Sequence, residues 1–390
     1  MKIKETIFKS YDIRGKYPQE INGETAYFLG KAIASIFPSK KIIIGRDSRP
    51  SSKILFKSLS QGVTDQGVDV IDIGLTTSPI FNFVVAGYDI SDLGIMITAS
   101  HLASNYNGFK IVDGQATPLD TEQRETIKEI MIKNKYSPSS KKGVLTKIDP
   151  YRDYLQKLFS LIKTPSDELR EIAKKIKFTI EYDQDKDRII FFDEQGEKIT
   201  GDLITAFLSK YLLQEYKGEK IIFTVNSSKI VPEEIIKNGG KAIVSRVGHS
   251  FIKKKMKKEN ALFGGEVSGH YYFRDFYFCE CPDLVLLKVL EISKKEKKTL
   301  RELIKPFKKY YSTGELNFKV KNKDKKIEEV TQFFKNVKKS FLDGLTCELG
   351  NWWFNLRPSH TEEVLRLTME ADTKEVLDQE KKKLIKLIKE

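Results

Sequence analysis

Lys41-Ile-Ile-Ile-Gly45, the turn-rich Arg46-Asp-Ser-Arg-Pro-Ser-Ser52, a helical periodicity from Ser51 to Gln66, and then Val68–Gly74 follow one another without interruption. A short apolar run, an amphipathic helix and a second apolar run make a β-α-β unit, whose strands lie parallel. The alternation continues with Pro79–Tyr88, a helix opened by proline, and Leu93–Thr98, a third buried strand. The expected class is α/β, with a parallel or mostly parallel sheet between helices. Ligands of such sheets gather at the carboxyl ends of strands. Thr98-Ala-Ser-His101 stands at one of those ends, the first positional sign of chemistry.

Downstream, Ser137-Pro-Ser-Ser-Lys-Lys-Gly143 reads as a polar linker, followed by helical patterns at Tyr151–Ile162 and Asp167–Ile176. A strand at Phe178–Tyr182 runs into an Asp-rich loop and out through Arg188–Phe192. A third unit, about 199–309, mixes strands (Lys220–Val225, Lys241–Ser245) with helices. The last, about 310–390, opens with the strand-like Gly314–Val320 and closes with the charged helix Thr373–Lys389. No repeat at solenoid period occurs, only recurring α/β units.

At 390 residues the chain has room for two to four domains. The longest apolar stretches, such as Leu93–Ala99, are strand-sized, far short of the ~18 residues of a membrane span. The N-terminal dodecapeptide from Met1 to Asp12 has charges but no apolar core for a signal peptide, so a cytoplasmic location is expected. Three cysteines exclude a disulfide scaffold, and Cys279 and Cys281 lack the further ligands of a structural zinc, which leaves buried thiols. The net charge of +14 suits acidic substrates, but the lysines lie in short scattered runs (Lys253–Lys255, Lys323–Lys326, Lys381–Lys383) without any nucleic-acid-binding signature. No nucleic-acid or membrane partner is expected.

Four loops carry chemistry-bearing residues. In Thr98-Ala-Ser-His-Leu-Ala-Ser-Asn-Tyr-Asn-Gly-Phe-Lys110, Ser100 follows a buried strand and is expected to be sterically exposed among backbone donors, as a nucleophilic or phosphorylated hydroxyl requires. A serine closing an ordinary strand turn, and a His101 that is merely hydrogen-bonded, are the plainer readings. In Asp183-Gln-Asp-Lys-Asp-Arg188, carboxylates at Asp183, Asp185 and Asp187 repel unless a cation sits among them; oxygen-only ligands select a hard ion such as Mg²⁺. An EF-hand fails here, since Arg188 stands at the sixth position; a solvated acidic turn is the alternative. Gly264-Gly-Glu-Val-Ser-Gly-His270 offers Glu266, Ser268 and His270 on a glycine-rich backbone able to approach hydroxyl groups closely, or is a plain glycine turn. Arg357-Pro-Ser-His-Thr361, followed by Arg366, could cradle a dianion or be a surface turn. Of the four histidines, His101, His270 and His360 lie inside these loops and His249 just ahead of the third, which favours the functional readings jointly.

Taken in this order, the loops resemble the α-D-phosphohexomutase family, nearest to its bacterial and archaeal phosphomannomutase/phosphoglucomutase branch. Tyr11-Asp-Ile-Arg-Gly15, Gly45-Arg-Asp-Ser-Arg49, Val247-Gly-His-Ser-Phe-Ile-Lys253 and Trp353-Phe-Asn-Leu-Arg-Pro-Ser-His-Thr-Glu362 add to the resemblance, which covers nearly the whole chain. It implies a multi-domain enzyme around a central cleft: three α/β domains with mixed sheets, the second truncated, and a C-terminal α+β domain. The boundaries would be 1–147, 148–198, 199–309 and 310–390, each domain supplying one loop. It further implies a phosphorylated Ser100 that passes its phosphoryl group to a hexose phosphate. The resulting hexose 1,6-bisphosphate turns over and returns the other phosphoryl group, so phosphate moves between C6 and C1. Asp183, Asp185 and Asp187 would hold Mg²⁺ with a phosphoserine oxygen, and Arg188 would neutralise the transferring group. Lys110 would act in acid/base transfer, and Arg14, His101 and His249 would line the cleft. Glu266, Ser268 and His270 would grip sugar hydroxyls; Arg357, Ser359, His360, Thr361 and Arg366 would clamp the phosphate not being transferred. Mannose and glucose phosphates are the implied substrates, with a monomer or homodimer as the assembly.

Departures from the family pattern are also readable. Ser100 and Asp183 are only 83 positions apart, because the front of the second domain is missing. A depleted sheet is expected there, its exposed edge covered by a helix or another protomer. Leu102 and Ala103 stand where Asn-Pro is usual, Gln184 and Lys186 replace a glycine and a small residue, and His360 and Glu363 replace Asn or Gly and Pro. Asn226 occupies an often basic position, with Lys229 near. Two other functions fit the sequence: a catalytically weakened phosphosugar-binding relative, and an aspartyl phosphotransferase with Asp183 as nucleophile.

Overall fold

The structure, a computed structural model, describes residues 3–9, 12–37, 39–136, 139–359 and 364–390. Backbone contacts group the chain into two compact units: residues 1–166 with 181–189 and 275–284, and residues 167–180 with 190–274 and 285–390.

In the first unit, strands β1 (Ile13–Lys16), β2 (Lys41–Arg46), β3 (Asp69–Leu75), β4 (Leu93–Ile97), β5 (Tyr106–Asp113) and β6 (Leu145–Lys147) form one sheet in the order β1-β5-β4-β2-β3-β6. Helices α1 (Gly23–Ile36), α2 (Ser52–Thr64), α3 (Ser78–Gly87), α4 (Thr121–Lys133) and α5 (Tyr151–Ser160) accompany it. The expected strands and helices are present, with ends displaced by one or two residues. β2 pairs parallel with β3 and β4, and β3 with β6, whereas β5 runs antiparallel to both β4 and β1. The sheet is thus mixed. Ile42, Ile43 and Ile44 are all fully buried, the continuous run of a strand covered on both faces. Ile42 and Ile44 pack with Leu55, Leu59 and Val63 of α2 and Ile95 and Ile97 of β4 in the core.

Between 148 and 199, α5 and α6 (Ser166–Lys175) lead to β7 (Thr179–Tyr182), β8 (Ile189–Phe192) and β9 (Lys198–Ile199), a three-stranded sheet in that order. Three short strands make up this sheet. Its edge strand β7 exposes Thr179 and Glu181, polar residues that discourage edge-to-edge pairing.

The second unit continues with α7 (Gly201–Glu215), β10 (Lys220–Thr224), α8 (Ile230–Lys237), β11 (Lys241–Ser245), α9 (His249–Glu259), β12 (Phe263–Gly265) and β13 (Tyr271–Phe273). Its strands lie in the order β11-β10-β12-β13, parallel except for the β12–β13 pair. Then come β14 (Cys279–Glu280), which belongs to the first unit, and α10 (Pro282–Glu296) and α11 (Leu300–Ile304). The C-terminal part holds β15 (Tyr311–Phe318), α12 (Lys323–Phe333), β16 (Lys338–Ser340), β17 (Leu345–Glu348), β18 (Trp352–Pro358), β19 (Leu365–Ala371) and α13 (Lys374–Lys389). Its antiparallel sheet runs β15-β19-β18-β17-β16. Leu356, Leu367 and Met369 on one face of this sheet share a core with Leu377, Leu384 and Ile388 of α13. The opposite face carries the polar residues considered below. Among the described residues, no helix is long and apolar enough to cross a membrane.

Candidate active site

β4 is buried along its whole length and delivers Ser100 to the end of the sheet. Ser100 has φ +49, a left-handed conformation that costs a non-glycine residue of order 1 kcal/mol or more and is held only where its surroundings over-determine it. The surroundings do so. Its N–H donates to Thr98 Oγ1 at 2.9 Å, and its carbonyl accepts from Arg49 Nη2 at 2.5 Å. Arg49, with a fully buried side chain, also donates to the carbonyls of Leu102, Ala103 and Tyr106 and pairs with Asp47. One guanidinium therefore fixes the serine loop's backbone.

The hydroxyl of Ser100 donates to Asp185 Oδ2 at 3.0 Å and accepts from Arg14 Nη2 at 3.4 Å. Ser100 is buried, 3% exposed, which corrects the expectation of an exposed serine: the β7–β8 loop covers it. That loop turns tightly, with Lys186 N bonded to the carbonyl of Asp183 and Lys186 at φ +56. The turn brings oxygen atoms of Asp183, Asp185 and Asp187 within 4.8 Å of one another. Asp185 Oδ2 also accepts from Ser78 Oγ at 2.8 Å, and Ser78 N donates to the Asp185 carbonyl at 2.9 Å, so the start of α3 anchors the loop.

The charge among these carboxylates comes from the protein itself. Lys110, on β5 opposite Met96, places Nζ 2.6 Å from Asp185 Oδ2 and 2.8 Å from Asp187 Oδ2. Burial disfavours its ammonium, but the two carboxylates outweigh that and raise its pKa above the ordinary lysine value. Arg188 Nε lies 3.6 Å from Asp183 and 3.9 Å from Asp187. His101, next to Ser100 on the serine loop, is biased towards its neutral form: the partial burial of its ring, with Arg188 and Arg14, lowers its pKa against the pull of Asp187 and Asp185. A divalent cation fits the triad. All donors are oxygen, and Asp185 Oδ1 is buried yet accepts no hydrogen bond.

A second set lies in the other unit. Glu266 is 3% exposed; its Oε1 accepts from Tyr272 Oη at 2.5 Å and lies 3.4 Å from His270 Nδ1, while Oε2 accepts from Gly248 N at 3.3 Å. Ser268 Oγ and His270 Nδ1 are 2.9 Å apart. His249 opens α9 directly after Gly248. The neighbouring Val247 N donates to buried Asp343, whose own carbonyl accepts from Asn355 Nδ2. Gly344 follows at φ +68, where a Cβ would come within 2.6 Å of the Cα of Arg357. A continuous series of contacts thus joins the Glu266 loop to Arg357. Arg357 is 3% exposed and bonded to Glu315, Arg366 is paired with the same carboxylate, and Ser359 N donates to the carbonyl of Val364. His360, Thr361 and Glu363 lie outside the described residues.

Arg49, Ser78, Gln184, Asp343 and Glu315 support these sites, Gln184 by accepting from Arg49 Nη2 through its side-chain oxygen, and the sequence alone does not single them out. Arg49 closes Gly45-Arg-Asp-Ser-Arg49 and Ser78 precedes the proline that opens α3, which were the signals present. Asp343 and Glu315 sit in ordinary polar contexts that carry none.

Residues 5–137 match the family described as phosphoglucomutase/phosphomannomutase, alpha/beta/alpha domain I; residues 200–310 match its domain III and residues 315–387 its C-terminal domain. A protein named phosphomannomutase from Methanocaldococcus jannaschii is 36% identical over 441 aligned positions, covering 98% of this chain and 97% of that one. More positions are aligned than this chain has residues, so the relative carries residues that are missing here. Another phosphomannomutase, from Vibrio cholerae, is 33% identical over 98% of each chain. Among solved structures, a phosphoglucomutase/phosphomannomutase family protein from Burkholderia thailandensis superposes with a TM-score of 0.88 at 22% identity, over 100% of this chain and 98% of that chain, which shows a shared fold. Identity above 30% along nearly the full length, together with the three matched domains, establishes that the chain belongs to the phosphoglucomutase/phosphomannomutase family.

Proposed function

We propose that this protein is a phosphohexomutase that interconverts hexose 6-phosphate and hexose 1-phosphate, with mannose and glucose phosphates as substrates. The observation that carries the reading is the Ser100 hydroxyl 3.0 Å from Asp185 of an aspartate triad and 3.4 Å from Arg14, with the Lys110 ammonium on the same Asp185 carboxylate. The resting active form carries a phosphoryl group on Ser100 Oγ. In transfer, the bond from phosphorus to Ser100 Oγ breaks and one to a sugar hydroxyl oxygen forms; the sugar hydroxyl gives its proton to a protein base, and the departing Ser100 Oγ takes up a proton to leave as the free hydroxyl. The hexose 1,6-bisphosphate then returns its other phosphoryl group to Ser100.

Phosphoryl transfer depends on positioning and charge stabilisation more than on covalent chemistry. Arg14 and Arg188 bring fixed positive charge to the serine. Lys110 is the proton-carrying group adjoining Asp185. A phosphoryl group on Ser100 cannot repeat the hydrogen bond that the hydroxyl donates to Asp185, and its charge opposes that carboxylate. Asp183, Asp185 and Asp187 would hold Mg²⁺, which when bound neutralises the charge on the transferring oxygens. Glu266, Ser268 and His270 read sugar hydroxyls beside His249, and Arg357, Ser359, His360, Thr361 and Arg366 clamp the other phosphate.

The four-domain division 1–147, 148–198, 199–309 and 310–390, with a shortened second domain, belongs to the same reading; the three short strands between 179 and 199 support it. A cytoplasmic location accords with three buried free cysteines.

The test measures phosphate exchange on mannose 1-phosphate and glucose 1-phosphate with Mg²⁺ and a hexose bisphosphate, for the parent chain and Ser100→Ala. Exchange that disappears with the hydroxyl supports the mutase. Equal rates would end it and favour transfer through Asp183.

A further inference from the structure

Two arginines of the C-terminal sheet stand directly opposite each other: Arg357 of β18 is in register with Arg366 of β19. Like charges at a cross-strand pair repel. A third strand supplies the counterion. Glu315 of β15 accepts from Arg357 Nη2 through Oε2 at 2.7 Å, and its Oε1 lies 2.9 Å from Arg366 Nη1. Each oxygen of one carboxylate thus takes one guanidinium. The approach uses an irregularity in β15, where the register with β19 slips between Ser312 and Glu315 and Gly314 adopts φ +62. Such bulges re-aim the side chain that follows. Leu316, Leu356, Leu365 and Leu367 point to the apolar face, so Glu315, Arg357 and Arg366 share the polar one.

We propose that Glu315 is a resident anion of the phosphate clamp, seated between Arg357 and Arg366 until the phosphate of a hexose phosphate displaces it from at least one of them. The inference rests on the reading of Arg357 as part of that clamp. Guanidinium N–H groups bond carboxylate and phosphate oxygens alike, so a phosphate can take the places that the two Glu315 oxygens hold. Glu315 therefore does two things at once: it holds both forks in place, and it limits the affinity for any incoming dianion. A limited affinity serves a mutase, because the bisphosphate must leave the clamp before the other end can enter it.

The experiment titrates inorganic phosphate and glucose 6-phosphate into the full chain by calorimetry, for the parent, Glu315→Gln and Arg357→Gln, with steady-state kinetics alongside. Glu315→Gln is expected to bind phosphate about tenfold more tightly, the effect of removing one opposing charge of about 1.4 kcal/mol. Its KM falls and its kcat falls with it as release slows. Unchanged or weaker phosphate binding by folded Glu315→Gln, with binding lost in Arg357→Gln, would overturn the role of Glu315 alone. Binding retained in Arg357→Gln would overturn the clamp reading itself. Where Glu315→Gln is unfolded in anion-free buffer because the arginines repel, phosphate restores a cooperative melt; failure to restore it overturns the proposal.

Discussion

The side-chain oxygen of Gln184 accepts a hydrogen bond from Arg49 Nη2 at 2.5 Å. The same nitrogen donates to the carbonyl of Ser100, so a single guanidinium corner spans the loop that carries the aspartates and the loop that carries the serine. The Gln184 side chain thus acts as a tether between the two loops.

Gln184→Ala leaves Arg49 its backbone acceptors and removes only this link. The expected loss of stability is about 1–2 kcal/mol, as for a hydrogen bond to a charged group. Turnover should fall by about tenfold to hundredfold, since small misplacements of reacting groups are costly. Denaturant unfolding and initial rates measure the two effects; unchanged turnover would show that the link is idle.

Arg49→Leu tests the buried fork itself. It leaves Asp47 without its guanidinium partner and strips donors from the Ser100 and Leu102 carbonyls. Removing one member of a buried pair typically costs about 3–5 kcal/mol. Urea denaturation should register a drop of that size, well above what an exposed arginine would give.

Backbone strain separates two variants that both lose the hydroxyl. At φ +49, glycine is at ease and alanine is not. Ser100→Gly should be more stable than Ser100→Ala by about 1 kcal/mol, while both are inactive. Equal melting temperatures would contradict the left-handed conformation.

Lys110→Met removes the positive charge that bridges Asp185 and Asp187. Without a cation the triad is then more repulsive, and with one it is a stronger ligand set. Added Mg²⁺ should raise the melting temperature of the variant more than that of the parent, by linkage to the folded state. Identical shifts would disconnect Lys110 from the triad.

The cysteines give a pH-dependent prediction. Cys279, Cys281 and Cys347 are buried; burial raises the Cys281 thiol well above its ordinary value and the Cys347 thiol to about 11. Because these folded values exceed those of the open chain, the stability tied to the neutral thiols is intact below the ordinary thiol range. It is lost as pH rises towards the folded values. A thiol reagent at mildly alkaline pH should label the chain only on unfolding; rapid labelling of the native protein would refute this.

The local pattern sufficed for the β-α-β alternation, the buried strand that presents Ser100, the acidic triad and the short region before it. These follow from periodicity and residue type within a few turns of chain, and motif order carried the family. Burial of Ser100 under the β7–β8 loop, the Lys110 ammonium among the aspartates and the Arg49–Gln184 link did not follow, since each joins side chains between 75 and 135 positions apart. Glu315 is the clearest case: it becomes the counterion of two facing arginines because the fold lays β15 beside β19 and Glu315 reaches diagonally from its own register partner, Thr368, to the Arg357–Arg366 pair. Nearest-neighbour chemistry is written along the chain, whereas the pairing of charges depends on which strands the fold brings side by side.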